Sequence, residues 1–163
     1  MKNLKKFFTA IGFFFLLSGC QKDDICPEST QVTPLLIIEF YDVEDNTRLK
    51  AVQSLTVQAV GEEEPLSASS TTNQIAIPLR TDQNTTQYEF IRNSGAETEN
   101  IDTISFFYNP SPEYLNRACG FKVNFLGLQA EIVEDDNNWI LDDIEQQTNV
   151  ENETETAHLH IIH

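Results

Sequence analysis

Short runs in which apolar and polar residues alternate, separated by turn-forming stretches, constrain this fold more than any other feature of the chain. Cys119, Phe121, Val123 and Phe125 recur with a period of two, which places all four on one face of a strand and scatters them around a helix. Leu55, Val57 and Ala59 alternate with Thr56 and Gln58, and Ile75, Ile77 and Leu79 share one parity. Tyr88 and Phe90 repeat the pattern, as do Ile104 and Phe106, with Phe107 on the opposite side. Apolar residues on both parities imply two covered faces, hence packed sheets rather than a lone meander. Residues 32–41 form a β-rich run with Pro34 near its start, and residues 158–163 read as a terminal strand. Residues 42–47, 61–65, 67–72, 82–84, 109–112 and 134–138 read as turns or loops. The runs at 74–79 and 86–91 are expected to pair as a hairpin. Seven or eight such strands predict an all-β fold over residues 32–163: a single antiparallel β-sandwich, immunoglobulin-like in general architecture.

The first residues read as an address. Lys2, Lys5 and Lys6 precede an uninterrupted apolar stretch over residues 7–18, of secretory-signal length and shorter than the roughly 20 residues that span a bilayer. A permanent anchor helix or a buried strand is the alternative. Leu17, Ser18, Gly19 and Cys20 closely resemble the bacterial lipobox, in which the cysteine becomes the lipidated first residue of the mature chain. Acyl chains supply about 0.8 kcal/mol per buried methylene, so they hold a domain at a membrane after the leader is cut away. Residues 1–19 are thus expected to be a signal peptide and residues 20–31 a lipidated acidic tether.

Charge narrows the partners. The chain has 10 Lys and Arg against 26 Asp and Glu, a net charge of −16, and loss of the three leader lysines takes it to −19. Generic nucleic-acid binding needs cations that neutralise phosphates, so nucleic acid is excluded as a non-specific partner. The same surface repels anionic lipid beyond the anchor. Gln21, Lys22, Asp23 and Asp24 resemble the acidic export signal of Bacteroidota lipoproteins carried to the outer leaflet of the outer membrane. Cell-surface display is therefore the expectation, with the periplasmic leaflet as the alternative.

With Cys20 consumed by lipid, Cys26 and Cys119 remain as an even pair in an oxidising compartment. Closing so long a loop contributes roughly 4.7 kcal/mol in the chain-entropy picture. Two free buried thiols, or a reactive thiol at Cys119, are the alternatives; no local histidine motif accompanies Cys119. Two cysteines fall short of a zinc-ligand set.

Taken together, Cys26-Pro27, residues 33–42, the run from Arg117 through Cys119 to Lys122, Asn152-Glu153 and residues 158–162 resemble a family of uncharacterised Bacteroidota lipoproteins, a domain of unknown function. The resemblance covers nearly the whole mature chain. It implies the secreted lipoprotein class and the Cys26–Cys119 disulfide, and it transfers no activity and no catalytic residue.

Candidate site residues are few. On a strand, His158 and His160 face one way, and with His163 and an acid such as Glu153 or Glu155 they are weak candidates for a metal site. The alternative is a solvated face of an edge strand. Asp135-Asp136 and Asp142-Asp143 lack calcium-loop spacing and read as surface charge, with calcium binding as the alternative. Trp139 and Tyr108 are candidates for a ligand patch, with core packing as the competing role, and Phe121 and Phe125 are expected in the core. No Gly-rich phosphate cradle and no nucleophile motif is present, so neither cofactor nor catalysis is expected. The chain is expected to be a lipid-anchored, non-catalytic binding or structural accessory of the cell envelope with a protein partner. The alternative is a lipoprotein that binds a glycan, metal or other small ligand, and a hydrolase comes last.

Overall fold

A computed structural model describes residues 25–133, 135–145, 148–151 and 156–163. The leader, Cys20, Glu153 and Glu155 lie outside the described residues. The chain divides into two compact units. Among the described residues, one holds 25–30 together with Leu115–Gly120, and the other holds those of Gln31–Tyr114 and Phe121–His163. In the small unit, Cys26 and Cys119 form a disulfide with S–S 2.03 Å and Cα–Cα 4.8 Å.

Among the described residues the fold is all-β, with eleven strands in two sheets. Strand β1 (Leu36–Asp42) buries alternate residues, Leu36, Ile38, Phe40 and Asp42, with Ile37, Glu39 and Tyr41 half-buried on the other parity. It is central to the first sheet, ordered β2 (Asp45–Leu49), β1, β11 (Leu159–Ile162), β9 (Asp142–Glu145). β5 (Gln74–Ile77) also pairs with β1, so β2 and β5 share the edge that β11 leaves. The second sheet is ordered β10 (Asn149–Val150), β8 (Gly120–Val133), β7 (Asn100–Asn116), β6 (Thr85–Arg92), β3 (Val52–Ala59), β4 (Ser70–Thr72). Leu36, Ile38, Phe40, Leu159 and Ile161 from the first sheet meet Phe90, Ile104, Phe106, Phe125 and Leu128 from the second in one hydrophobic core.

Several expectations are corrected. The sheets are not purely antiparallel, because β1 pairs with β11 in parallel, Ile38 opposite Leu159. The terminal strand is therefore interior, flanked by β1 and β9, and not an edge strand. The runs at 74–79 and 86–91 do not form a hairpin. β5 joins the first sheet against β1, whereas β6 lies between β3 and β7 in the second. Pro78 and Arg80 sit where the chain changes sheets: the Pro78 carbonyl accepts the Tyr88 hydroxyl at 2.7 Å, and the Arg80 N–H donates to Thr86 Oγ1 at 3.0 Å.

Residues 109–112, read as a turn, lie inside β7, a strand of 17 residues. Likewise β8 is a single strand through Gly127, which adopts φ +67°. Glycine takes that conformation at little cost, and across it the buried residues change parity, from Phe125 to Leu128.

Candidate functional site

The long hairpin of β7 and β8 outruns the sheet to which it belongs. Pairing of β7 with β6 ends at Phe107 opposite Thr85, and the Tyr108 N–H donates to the Asn84 carbonyl at 3.0 Å. Beyond that point β7 and β8 form a two-stranded ribbon. Two and four residues after Tyr108, at the same edge, Pro110 and Pro112 have no N–H to leave bare, so the free edge is blunted against pairing.

One face of this ribbon is aromatic along its length. At its base Tyr108 and Phe125, both buried, meet edge to face at 5.0 Å between ring centroids. Further out, on the same parities, Tyr114 and Phe121 meet edge to face at 5.2 Å. There the core has ended: Tyr114 is 59% exposed and Phe121 66%. Phe121 is thus a surface residue and not the core residue its alternation predicts. The parity rule was obeyed, but the strand had run past the material that would have covered it.

On the other parity of the ribbon the expected order is reversed. Lys122 is 4% exposed, its Nζ donating to Gln31 Oε1 at 3.1 Å and to the Glu151 carbonyl at 3.3 Å. Glu113 closes an ion pair with it at 3.3 Å and accepts the Asn124 amide at 2.9 Å. These contacts hold the Glu113 carboxyl below its ordinary range, the Asn124 hydrogen bond first and Lys122 next. The adjoining Val123 N–H donates to Thr33 Oγ1 at 3.0 Å. The segment leading into β1 therefore reaches the polar side of the ribbon at Lys122, while on the aromatic side the outer pair, Tyr114 and Phe121, is exposed.

Trp139 and Tyr108 do not come together as an exposed patch. Trp139 is 3% exposed, its indole N–H donating to the Phe90 carbonyl at 3.1 Å and the Arg92 guanidinium lying 5.4 Å from the ring centroid. Tyr108 is equally buried. Its hydroxyl donates to the Arg80 carbonyl at 2.9 Å and pairs with the Thr86 hydroxyl, and burial is the main cause of its raised pKa. Both aromatics serve the core.

The three histidines also separate. His158 is fully buried, and the Ile37 N–H donates to its Nδ1 at 3.0 Å while its own N–H donates to the Ile37 carbonyl at 2.9 Å. The ring thereby clamps the start of the parallel pairing. His163 is buried on the other side of β11, edge-on to Phe40 and Trp139 at 6.1 and 5.6 Å. Burial depresses its pKa, which favours the neutral ring. His160 stacks on Tyr41 at 4.3 Å, with Nε2 3.6 Å from Glu39. Burial lowers its pKa too, partly opposed by the Glu39 charge.

Glu39 also accepts the Tyr41 hydroxyl at 2.9 Å and the Gln74 amide at 3.2 Å. These contacts bind β1 to its neighbours across the outer face of the sheet. Among the described residues, no three His, Cys, Asp or Glu side chains are grouped to hold a metal ion. Asp135, Asp136 and Asp142 are exposed, and the side chain of Asp143 lies outside the described set.

A second surface feature is an open cleft of about 350 Å³ near the base of the ribbon, lined by Val60, Glu62, Arg80, Gln83, Thr85 and Gln87. Arg80 is held there by Asp82, donating to both carboxylate oxygens at 3.1 and 2.9 Å. Residue spacing gave no sign of this cleft, because its walls come from the turn after β3 and the approach to β6. The exposed aromatic pair did have a sequence signal in its period of two, hidden by reading the two prolines as a turn.

The model of one protein family, described as a family of unknown function (DUF6452), matches residues 54–163. The matched region includes Cys119 and the residues at 158–162 that carried the family resemblance, while Cys26 and residues 33–42 precede it. Comparison with curated proteins gives no significant match, and comparison with solved structures gives none.

Proposed function

The chain belongs to the family of unknown function DUF6452, and from that premise, which brings no activity with it, we propose that it is a lipid-anchored, non-catalytic binding or structural module of the cell envelope. In this reading Cys20 carries the lipid, the protein sits at the outer membrane of a Bacteroidota-type cell with the surface leaflet favoured, and an envelope protein is its partner. The two sheets, sharing one core, serve as a β-sandwich of the general immunoglobulin kind. The observation that carries the proposal is the Cys26–Cys119 bond. Disulfides persist in oxidising envelope compartments and are rare in the cytosol, in agreement with the leader and lipobox that precede this bond.

Mass spectrometry of the N-terminal peptide tests the anchor, and an acyl-modified Cys20 is expected. Crosslinking of intact envelopes, comparing the native protein with Cys20→Ser, tests the role. A reproducible partner set that depends on the anchor supports it. A correctly localised protein that captures nothing overturns it. The cleft beside Arg80 supports a second reading, binding of a glycan or other small polar ligand, because its volume falls within the range of ligand pockets, about 300–1,000 Å³. Calorimetry against a sugar panel tests that reading, and an Arg80→Ala variant should lose any saturable signal.

A further inference from the structure

Among the described residues the four most exposed large hydrophobic side chains are Ile25 (79%), Val32 (71%), Phe121 (66%) and Tyr114 (59%). Each lies within six positions of one of the two crosslinked cysteines along the chain. The largest side chains of the core, Phe40, Phe90, Phe106 and Phe125, are by contrast fully buried. Of the four, Tyr114 and Phe121 touch each other, and exposed apolar side chains in contact mark a docking site.

Covalent geometry names the occupant. Cys20 precedes Cys26 by six residues, so at about 3.3–3.6 Å per residue even a fully extended link reaches only some 20 Å. The disulfide then adds 4.8 Å between Cα atoms, and Phe121 follows Cys119 by two residues. If Cys20 is anchored in a bilayer, the ribbon's aromatic end cannot leave the neighbourhood of that bilayer. Tyrosine and phenylalanine are suited to the boundary between headgroups and acyl chains, where a ring is covered and a hydroxyl stays wet. The blunted edge at Pro110 and Pro112 disfavours strand addition by a protein at the same place.

We propose that the Tyr114–Phe121 pair seats in the interfacial layer of the membrane that holds the Cys20 lipid, so that the domain stands on its ribbon and offers the rest of its surface outward. This rests on the anchored reading of the preceding subsection. The partner contact would then lie away from the ribbon.

The test is depth-dependent quenching of a tryptophan at residue 121. The lipidated protein carrying Phe121→Trp is reconstituted in zwitterionic phosphatidylcholine vesicles, chosen because the processed chain is strongly negative. Replacing the lipid with its brominated counterpart should remove about half of the added emission, because an interfacial ring lies about 5–10 Å into the headgroup and acyl boundary. Trp139, buried in the core, gives the unquenched reference in the unsubstituted protein. Val43→Trp supplies an exposed control that should stay bright: Val43 follows the end of β1, the end remote from Thr33, which holds Val123 of the ribbon. Unquenched emission from residue 121, or equal quenching at residue 43, would overturn the proposal. So would a photocrosslinker at residue 121 that captures a protein in place of lipid. If Cys20 proves unacylated in the cell, the anchored reading fails on its own. A chain coupled to a synthetic diacyl lipid through the Cys20 thiol still decides the docking.

Discussion

The two ends of the β7–β8 ribbon carry the same chemical unit in different settings. Tyr108 with Phe125 and Tyr114 with Phe121 are both tyrosine–phenylalanine pairs, meeting edge to face at 5.0 and 5.2 Å. The first pair is buried beneath two sheets and the second stands in solvent. An aromatic contact of this kind is worth about 0.5–1.5 kcal/mol beyond the area it buries, so ring geometry alone does not separate core from surface. What separates them is whether a second layer continues over the strand.

The most severe way to break this comparison is to delete the two phenylalanine rings in turn. Phe125→Ala should cost about 3–5 kcal/mol in urea unfolding, since it opens a cavity in a packed core. Phe121→Ala should cost no more than about 0.5 kcal/mol, as expected for a surface change away from special features. Similar losses for both would mean that the outer pair is covered in solution.

Opening the crosslink should come next in size. Cys26→Ser with Cys119→Ser should lower stability by about 2–5 kcal/mol, the range seen when a native disulfide is removed. Phe121 fluorescence or chemical-shift dispersion should nevertheless report an intact ribbon, since Lys122 and Val123 are held by Gln31 and Thr33 independently of the sulfurs.

Lys122 sharpens the contrast from the ribbon's polar side. Lys122→Ala should cost about 1–3 kcal/mol, because it removes the buried stem together with charge-assisted hydrogen bonds to Gln31 and the Glu151 carbonyl. Lys122→Met retains much of the apolar stem, so recovery of stability in that variant would assign the effect to packing and its absence to the ammonium.

The smallest effect expected is one of pH. A histidine whose folded pKa lies below its unfolded value binds fewer protons when folded, so stability falls as pH drops below about 6.5. His163 is such a group, its pKa lowered chiefly by burial. Urea midpoints measured downward from pH 7 should decline less steeply for His163→Gln than for the parent, and Phe121→Ala should keep the parental slope.

Much of the fold was legible because burial on one side of a strand leaves a period of two. β1 falls within the β-rich run of residues 32–41, and β3, β6 and the first half of β7 fall on predicted runs. Strand β2 was not legible. Its residues are all exposed, so nothing apolar marks it, and it exists through pairing with β1 and the buried Asp42, whose carboxylate takes Lys50 and Arg48. Sheet assignment was also hidden, since β5 and β6 have the same alternation and differ only in their partners.

At the candidate site, composition identified aromatics but not which would be bare. Trp139 and Tyr108 looked available beside their turns, yet each polar tip reaches a backbone carbonyl inside the fold. Phe121 looked interior by the same rule that correctly buried Phe125. Periodicity reports direction from the strand axis, whereas exposure depends on how far the opposite sheet extends, which is a property of distant residues.

The parallel pairing of β1 and β11 has a consequence for the order of events during biosynthesis. Ile37 and His158 stand 121 positions apart, yet each supplies the other with a hydrogen-bonding partner. A ribosome releases β1 early and β11 late, so the central strand of the first sheet waits for its neighbour through most of synthesis. Contacts of such long sequence separation slow folding, because the loop entropy is lost before the pairing compensates. Until the segment through Ile162 has emerged, the first sheet lacks the strand that bridges β1 to β9.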